Sequence, residues 1–173
     1  MPTFELQFPL KDVRRWAAHY GDPSGDDAVL AVAKAGRRQG YLTGEQFRVI
    51  AGWKSKRPAK RHASNAEETV REVTRFAFGT PVEALRLRAL TLLEGVQCRT
   101  ASAILHLCHR DPYPLMDERA FHSLGVVKLP SDWESFWPDY VATCRDLAHR
   151  AGVDLRTLDR ALWGFDKARG QTR

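Results

Sequence analysis

The chain has few cysteines, no long apolar run and no short hairpin-turn signal, and each shortage removes a class of protein. Its 173 residues hold only Cys98, Cys108 and Cys144, an odd number without a Cys-x-x-Cys pair. Neither a disulfide framework nor a zinc ribbon can be built on that set, and a reducing cytoplasm is the expected setting. No stretch approaches the ~18 consecutive apolar residues of a membrane helix. The start, Met1 to Pro9, has neither a cationic segment nor an apolar stretch, so export and membrane insertion are not expected. Asn-Gly and Asp-Gly, the turns that join alternating strands, are missing, which argues against a β architecture.

What is present is charge with a positive balance. Lys and Arg number 27 against 21 Asp and Glu, for a net charge of +6. That is a moderate attraction for a polyanion. The length suffices for a substantial core, in one domain or two closely packed helical lobes.

Helix punctuation makes an all-α chain the expectation. Lys11 to Tyr20 reads as a short amphipathic helix stopped by Gly21, and Asp26 to Arg38 as a second, ending before Gly40. Thr43 with Gln46, and Ser64 with Glu67, have capping-box spacing and predict helices over 44–54 and 65–78. Thr80-Pro81-Val82-Glu83 combines an N-cap, a proline at the first helical position and an acidic residue, predicting another start. Its partner is expected over 98–109. Asp111-Pro112-Tyr113-Pro114 is a stiff loop, because proline fixes φ and disfavours helix before it. Ser131 with Glu134 opens a further helix that Pro138 interrupts and Gly152 ends. Asp154 caps a last one to about Phe165, before a basic tail from Lys167 to Arg173.

The densest positive segment runs from Trp53 to His62 and includes Lys54, Lys56 and Arg57. It reads as an inter-helix loop that can track phosphates, with Trp53 as a stacking or wedge residue. The same residues also fit a solvated linker with Trp53 turned into the core.

The most informative stretch is Leu92-Leu93-Glu94-Gly95-Val96-Gln97-Cys98-Arg99-Thr100-Ala101, followed by Tyr113-Pro114-Leu115-Met116-Asp117. Two apolar-periodic helices meet at a glycine, and the second points its first backbone N–H groups outward, where they and the helix dipole suit a phosphate oxygen. By itself Gly95 also fits an ordinary helix C-terminus. The stretch resembles the helix-hairpin-helix DNA glycosylase superfamily, related to endonuclease III. Gly95, Val96, Thr100 and Ala101 match its hairpin, and Asp117 stands eighteen positions past Arg99, the spacing of the family's essential aspartate. Gln97 departs from a preferred third glycine, and Arg99 stands where the strand-cutting members carry lysine.

The resemblance implies a two-lobed helical bundle over 1–173, with residues about 1–40 and 153–173 in one lobe and about 43–150 in the other. It implies excision of a damaged or modified base from double-stranded DNA, with Asp117 as the catalytic carboxylate. An ionised carboxylate beside C1′ stabilises the positive charge that develops on the sugar and can orient or deprotonate water. Gly95, Val96, Gln97, Arg99 and Thr100 form the backbone clamp. Arg99 cannot form the Schiff base of the lyases, since a guanidinium stays protonated, so a monofunctional enzyme follows. The base must be flipped into a pocket, for which Tyr113, Trp53 and Trp163 with Arg119 are the candidates. No organic cofactor and no metal centre are implied. The four clustered cysteines that hold an iron-sulfur cluster in some relatives are lacking, and His106 and His109 beside Cys108 read as polar packing. A monovalent cation on hairpin carbonyls would assist phosphate binding. A monomer associated with the nucleoid is expected. Two other readings stay open: a non-catalytic helix-hairpin-helix module that binds DNA, and an unrelated helical interaction protein.

Overall fold

A computed structural model of the chain describes residues 4–21, 26–126 and 131–170, with the side chain of Glu134 outside the description. Every regular element among the described residues is helical. Ten α-helices follow one another: α1 Val13–Ala17, α2 Asp27–Gln39, α3 Gly44–Lys54, α4 Ala59–Ser64, α5 Glu67–Gly79, α6 Glu83–Leu90, α7 Cys98–Cys108, α8 Glu118–Ser123, α9 Trp133–Ala151 and α10 Leu155–Gly170. Short 3-10 turns flank α1. No helix among the described residues is long and apolar enough to cross a membrane.

The chain divides into two compact units, one from Ser24–Pro112 and one from Met1–Pro23 with Tyr113–Arg173. The division differs from the expected lobes. The helix over 27–39 belongs with the middle of the chain, and 113–151 belongs with the termini. Each segment goes with the core that buries it.

In the middle unit α7 is the central helix. Eight of its eleven residues are buried, among them Ala101, Ile104 and Leu105. Phe47 and Ile50 of α3, Val29 and Ala33 of α2, Val70 of α5 and Leu87 and Leu90 of α6 complete its core. Thr43 opens α3 with the expected capping box, its hydroxyl accepting from Gln46 N–H while the Gln46 side chain accepts from Thr43 N–H. The second expected box does not form. The Ser64 hydroxyl donates to the Arg61 carbonyl, and Glu67 accepts from Gly44 N–H at 2.7 Å, so that carboxylate caps α3 rather than its own helix. The preceding segment, expected as a loop, contains α4. The N-cap expected at Thr80 lies two residues later, at Val82 before α6.

In the terminal unit α10 packs on α1, α8 and α9. A Cβ on Gly164 would lie 2.3 Å from the Trp16 carbonyl, so α1 and α10 can approach this closely only where α10 has no side chain. The N-terminal segment pairs with the end of α8, Glu5 and Gln7 N–H donating to the carbonyls of Leu124 and Ser123. An aromatic cluster of Phe4, Phe121, Phe136, Trp137 and Tyr140 fills the core. Asp154 caps α10 as expected, accepting from Thr157 N–H at 2.6 Å. This helix runs past Phe165 to Gly170, and 171–173 lie outside the described residues. The Glu134 half of the box expected at Ser131 lies outside the described side chains; Asp132 accepts from Ser135 N–H at 3.3 Å at that start.

Candidate functional site

In the middle unit the candidate element is the connection from α6 to α7. Gly95 has φ +81, a left-handed conformation that side chains with a Cβ resist. Val96 N–H then donates to the Leu93 carbonyl at 3.0 Å, closing the turn. Gln97 is the N-cap of α7 and is exposed, and its side chain makes no capping bond. Val96 and Thr100 are buried and Arg99 is half-buried. Val96 and Thr100 can therefore meet a ligand only through main-chain atoms, whereas Gln97 and Arg99 present side chains.

Sequence reasoning missed what holds this turn. The Asn65 side chain accepts from Glu94 N–H at 2.8 Å and donates to the Glu94 carbonyl at 3.1 Å. Its amide also reaches the carbonyls of Arg61 and His62 at the end of α4. His62 is buried, stands edge-on to Phe47, and brings Nε2 to 3.2 Å from the Gly95 carbonyl. A carbonyl only accepts, so His62 carries its proton on Nε2 in this bond. A Cβ at Gly95 would stand 2.8 Å from His62 Cδ2 and 3.0 Å from Arg61 Cβ. Gly95 is thus required twice, by its φ and by the closeness of α4.

Of the basic residues expected to meet phosphate, Lys56 and Arg57 are exposed in the turn before α4, and Lys54 is half-buried at the end of α3. Trp53 is also half-buried, and its indole N–H donates to Asp26 at 2.8 Å. That bond places Trp53 in the packing between α2 and α3. The expected His106–His109 pair separates in role: His109 is buried against Arg86, with Nδ1 accepting from Asp111 N–H at 2.9 Å and Nε2 3.1 Å from the Phe78 carbonyl. Burial, and after it the Arg86 charge, hold its pKa below the usual 6.5.

In the terminal unit, taken by itself, the candidate residue is Asp117. It is the N-cap of α8, accepting from Arg119 N–H at 3.1 Å, and is half-buried. The Arg119 side chain does not turn to Asp117. Its guanidinium pairs with Asp166 at 3.0 Å and lies 5.3 Å from the Trp163 ring centre, so only its main-chain N–H serves Asp117. Trp163 also carries Lys167 at 4.8 Å and meets the edge of Tyr20. Tyr113, expected as a pocket wall, is instead a core residue: it is 1% exposed and stacks on Trp137 at 5.8 Å, with Arg145 over its ring.

A further acid of the terminal unit, on α10, is buried. Asp159 is 9% exposed. Burial pushes the Tyr140 hydroxyl well above its usual 10, and the charges of Cys144, Asp159 and Asp117 push it further. Tyr140 therefore stays protonated and donates to the Leu115 carbonyl at 2.6 Å, fixing the loop that leads into Asp117. No sequence signal separates Asp159 from an exposed helical aspartate, because its neighbour Arg160 completes an ordinary surface pattern. A cavity of about 570 Å³ beside α8 is lined by Gln7, His122, Gly125, Val126, Asp166, Arg169 and Gly170, and not by Asp117. Among the described residues no group of three or more His, Cys, Asp or Glu side chains is placed to hold a metal ion.

Comparison with protein-family models, with curated proteins and with solved structures returns no match to this chain.

Proposed function

We propose that the protein is a monofunctional DNA glycosylase of the helix-hairpin-helix kind, hydrolysing the bond between a damaged or modified base and its deoxyribose in double-stranded DNA. The observation that carries the reading is the left-handed Gly95 turn, which delivers the N-terminus of α7 behind an exposed, non-capping Gln97. Main-chain N–H groups at a helix start, with the positive end of the dipole behind them, bind phosphate without reading sequence. Gly95, Val96, Gln97, Arg99 and Thr100 form this clamp. The carbonyls of Leu93, Glu94 and Gly95 each accept one protein donor. Each keeps a second lone pair, so these atoms would hold a monovalent cation that braces the turn.

Asp117 is the reacting carboxylate. The base leaves with the bonding electrons, positive charge develops at C1′, and the Asp117 carboxylate stabilises it while accepting a proton from the attacking water. Half-burial strengthens that interaction relative to water. Arg99 carries no usable amine, so the strand is left intact at an abasic sugar. Trp163 and Arg119 are the pocket candidates that remain accessible.

The second reading is a non-catalytic module that binds DNA through the same turn. Incubation with duplexes carrying single lesions, followed by hot alkali, decides between them. A glycosylase yields alkali-labile sites on at least one lesion; a binding module yields none while retaining duplex affinity.

A further inference from the structure

Four cations, at 56, 57, 60 and 61, are grouped within six positions around the start of α4. Lys56, Arg57, Lys60 and Arg61 are all exposed, and among the described residues none of their charged ends has a hydrogen-bond or ion-pair partner. Lys60 and Arg61 lie on α4, and Lys56 and Arg57 in the turn that leads into it. A solvated linker would disperse such charge by moving. This segment is instead built to a fixed position.

Two contacts fix it. Asn65 holds the Glu94 N–H and carbonyl with one amide while also holding the last carbonyls of α4, and buried His62 bonds to the Gly95 carbonyl. Arg61 Cβ lies within 3.0 Å of where a Gly95 Cβ would be, so the cation stem rests on the turn itself. A cluster of exposed like charges on an anchored element suits a polyanion.

We propose that α4 and the α6–α7 turn form one continuous surface for the phosphate backbone of a nucleic-acid duplex, with Lys56, Arg57, Lys60 and Arg61 supplying charge and Asn65 fixing the spacing of α4 from the turn. The inference rests on the duplex-binding half of the proposed function and not on base release. Lys60 and Arg61 join the binding residues, and Asn65 becomes a positioning residue that touches no ligand.

The test is a fluorescence-anisotropy titration of a short undamaged DNA duplex at several salt concentrations. Each phosphate contact contributes about 0.9 to the slope of log K against log salt. Replacing all four cations by glutamine is expected to lower that slope by about 2–4 and to weaken binding at least tenfold at moderate salt. Asn65→Ala is expected to weaken binding severalfold, and Arg61→Gln should then cost less than it does in the wild type. That non-additivity is absent if Asn65 only stabilises the fold. Should Asn65→Ala fail to fold, the exposed glutamine replacements still decide. An unchanged slope in the fourfold variant overturns the inference and leaves the hairpin clamp standing; a wild type that binds no duplex at any salt removes both.

Discussion

The indole N–H of Trp53 donates to the carboxylate of Asp26 over 2.8 Å, joining the last turn of α3 to the start of α2. Asp26 is 9% exposed, so the bond is made where water competes weakly. Trp53→Phe removes the donor and is expected to destabilise the fold by about 1–3 kcal/mol, read by urea denaturation. Duplex affinity below the transition should be unchanged. A variant of normal stability that has lost DNA binding would instead make Trp53 a wedge residue.

The fold was legible where a helix is specified by its own residues. The Thr43–Gln46 box, the Asp154 cap and the Asp117 position after two prolines are local, and each forms in place. What could not be read is set by distant partners. Glu67 leaves its own helix to cap α3 at Gly44, because a carboxylate satisfies another helix's N–H equally well. Helix α4 has six residues and one buried side chain, His62, so no apolar period announces it. It is held by Asn65 and the Gly95 turn. The candidate site divides in the same way. Asp117 and Gly95 are visible from spacing, whereas Asn65, His62 and Asp159 matter only through contacts made far along the chain.

Two buried thiols and one buried imidazole set the pH limits of stability. Burial pushes Cys108 from its ordinary 9.0 to about 12, against a smaller opposing effect of Arg37, and pushes Cys144 higher still. In the unfolded chain both ionise near their ordinary values, while the folded chain keeps its protons. Stability is therefore expected to be complete below about pH 9 and to fall as pH rises above it. His109 acts at the other end. Its folded pKa lies below 6.5, so the unfolded state takes up a proton first and stability falls as pH drops through about 6.5. Urea midpoints across pH check both slopes, and His109→Gln should flatten the acid side. Alkylation of the native protein should label Cys98 well before buried Cys108 and Cys144.

Arg99 separates charge from chemistry. Arg99→Ala is expected to lower the salt slope of duplex binding by about 0.9, the value of one phosphate contact. Gly95→Val should unfold or distort the turn, since it adds both φ strain and a clash with α4. With substrate DNA, borohydride should trap no covalent complex on the wild type, because no hairpin amine is present. A trapped adduct would mean that a lysine such as Lys54, or Lys128 outside the described residues, supplies a nucleophile.

The Asp117 side chain has a structural part and a proposed chemical part that one substitution can divide. Asn at this position keeps a side-chain oxygen for the Arg119 N–H bond and so keeps the start of α8, while removing the charge. Asp117→Ala, in contrast, is expected to cost about 0.5–2 kcal/mol of stability. The decisive measurement is base release from lesion-bearing duplexes, read as alkali-labile sites, by the wild type and by Asp117→Asn at matched folded concentration. The account predicts release by the wild type from at least one lesion and a loss of at least about a hundredfold in the variant, the scale of a positioned acid–base group, with duplex binding kept. Equal release by both proteins would contradict the assignment of Asp117.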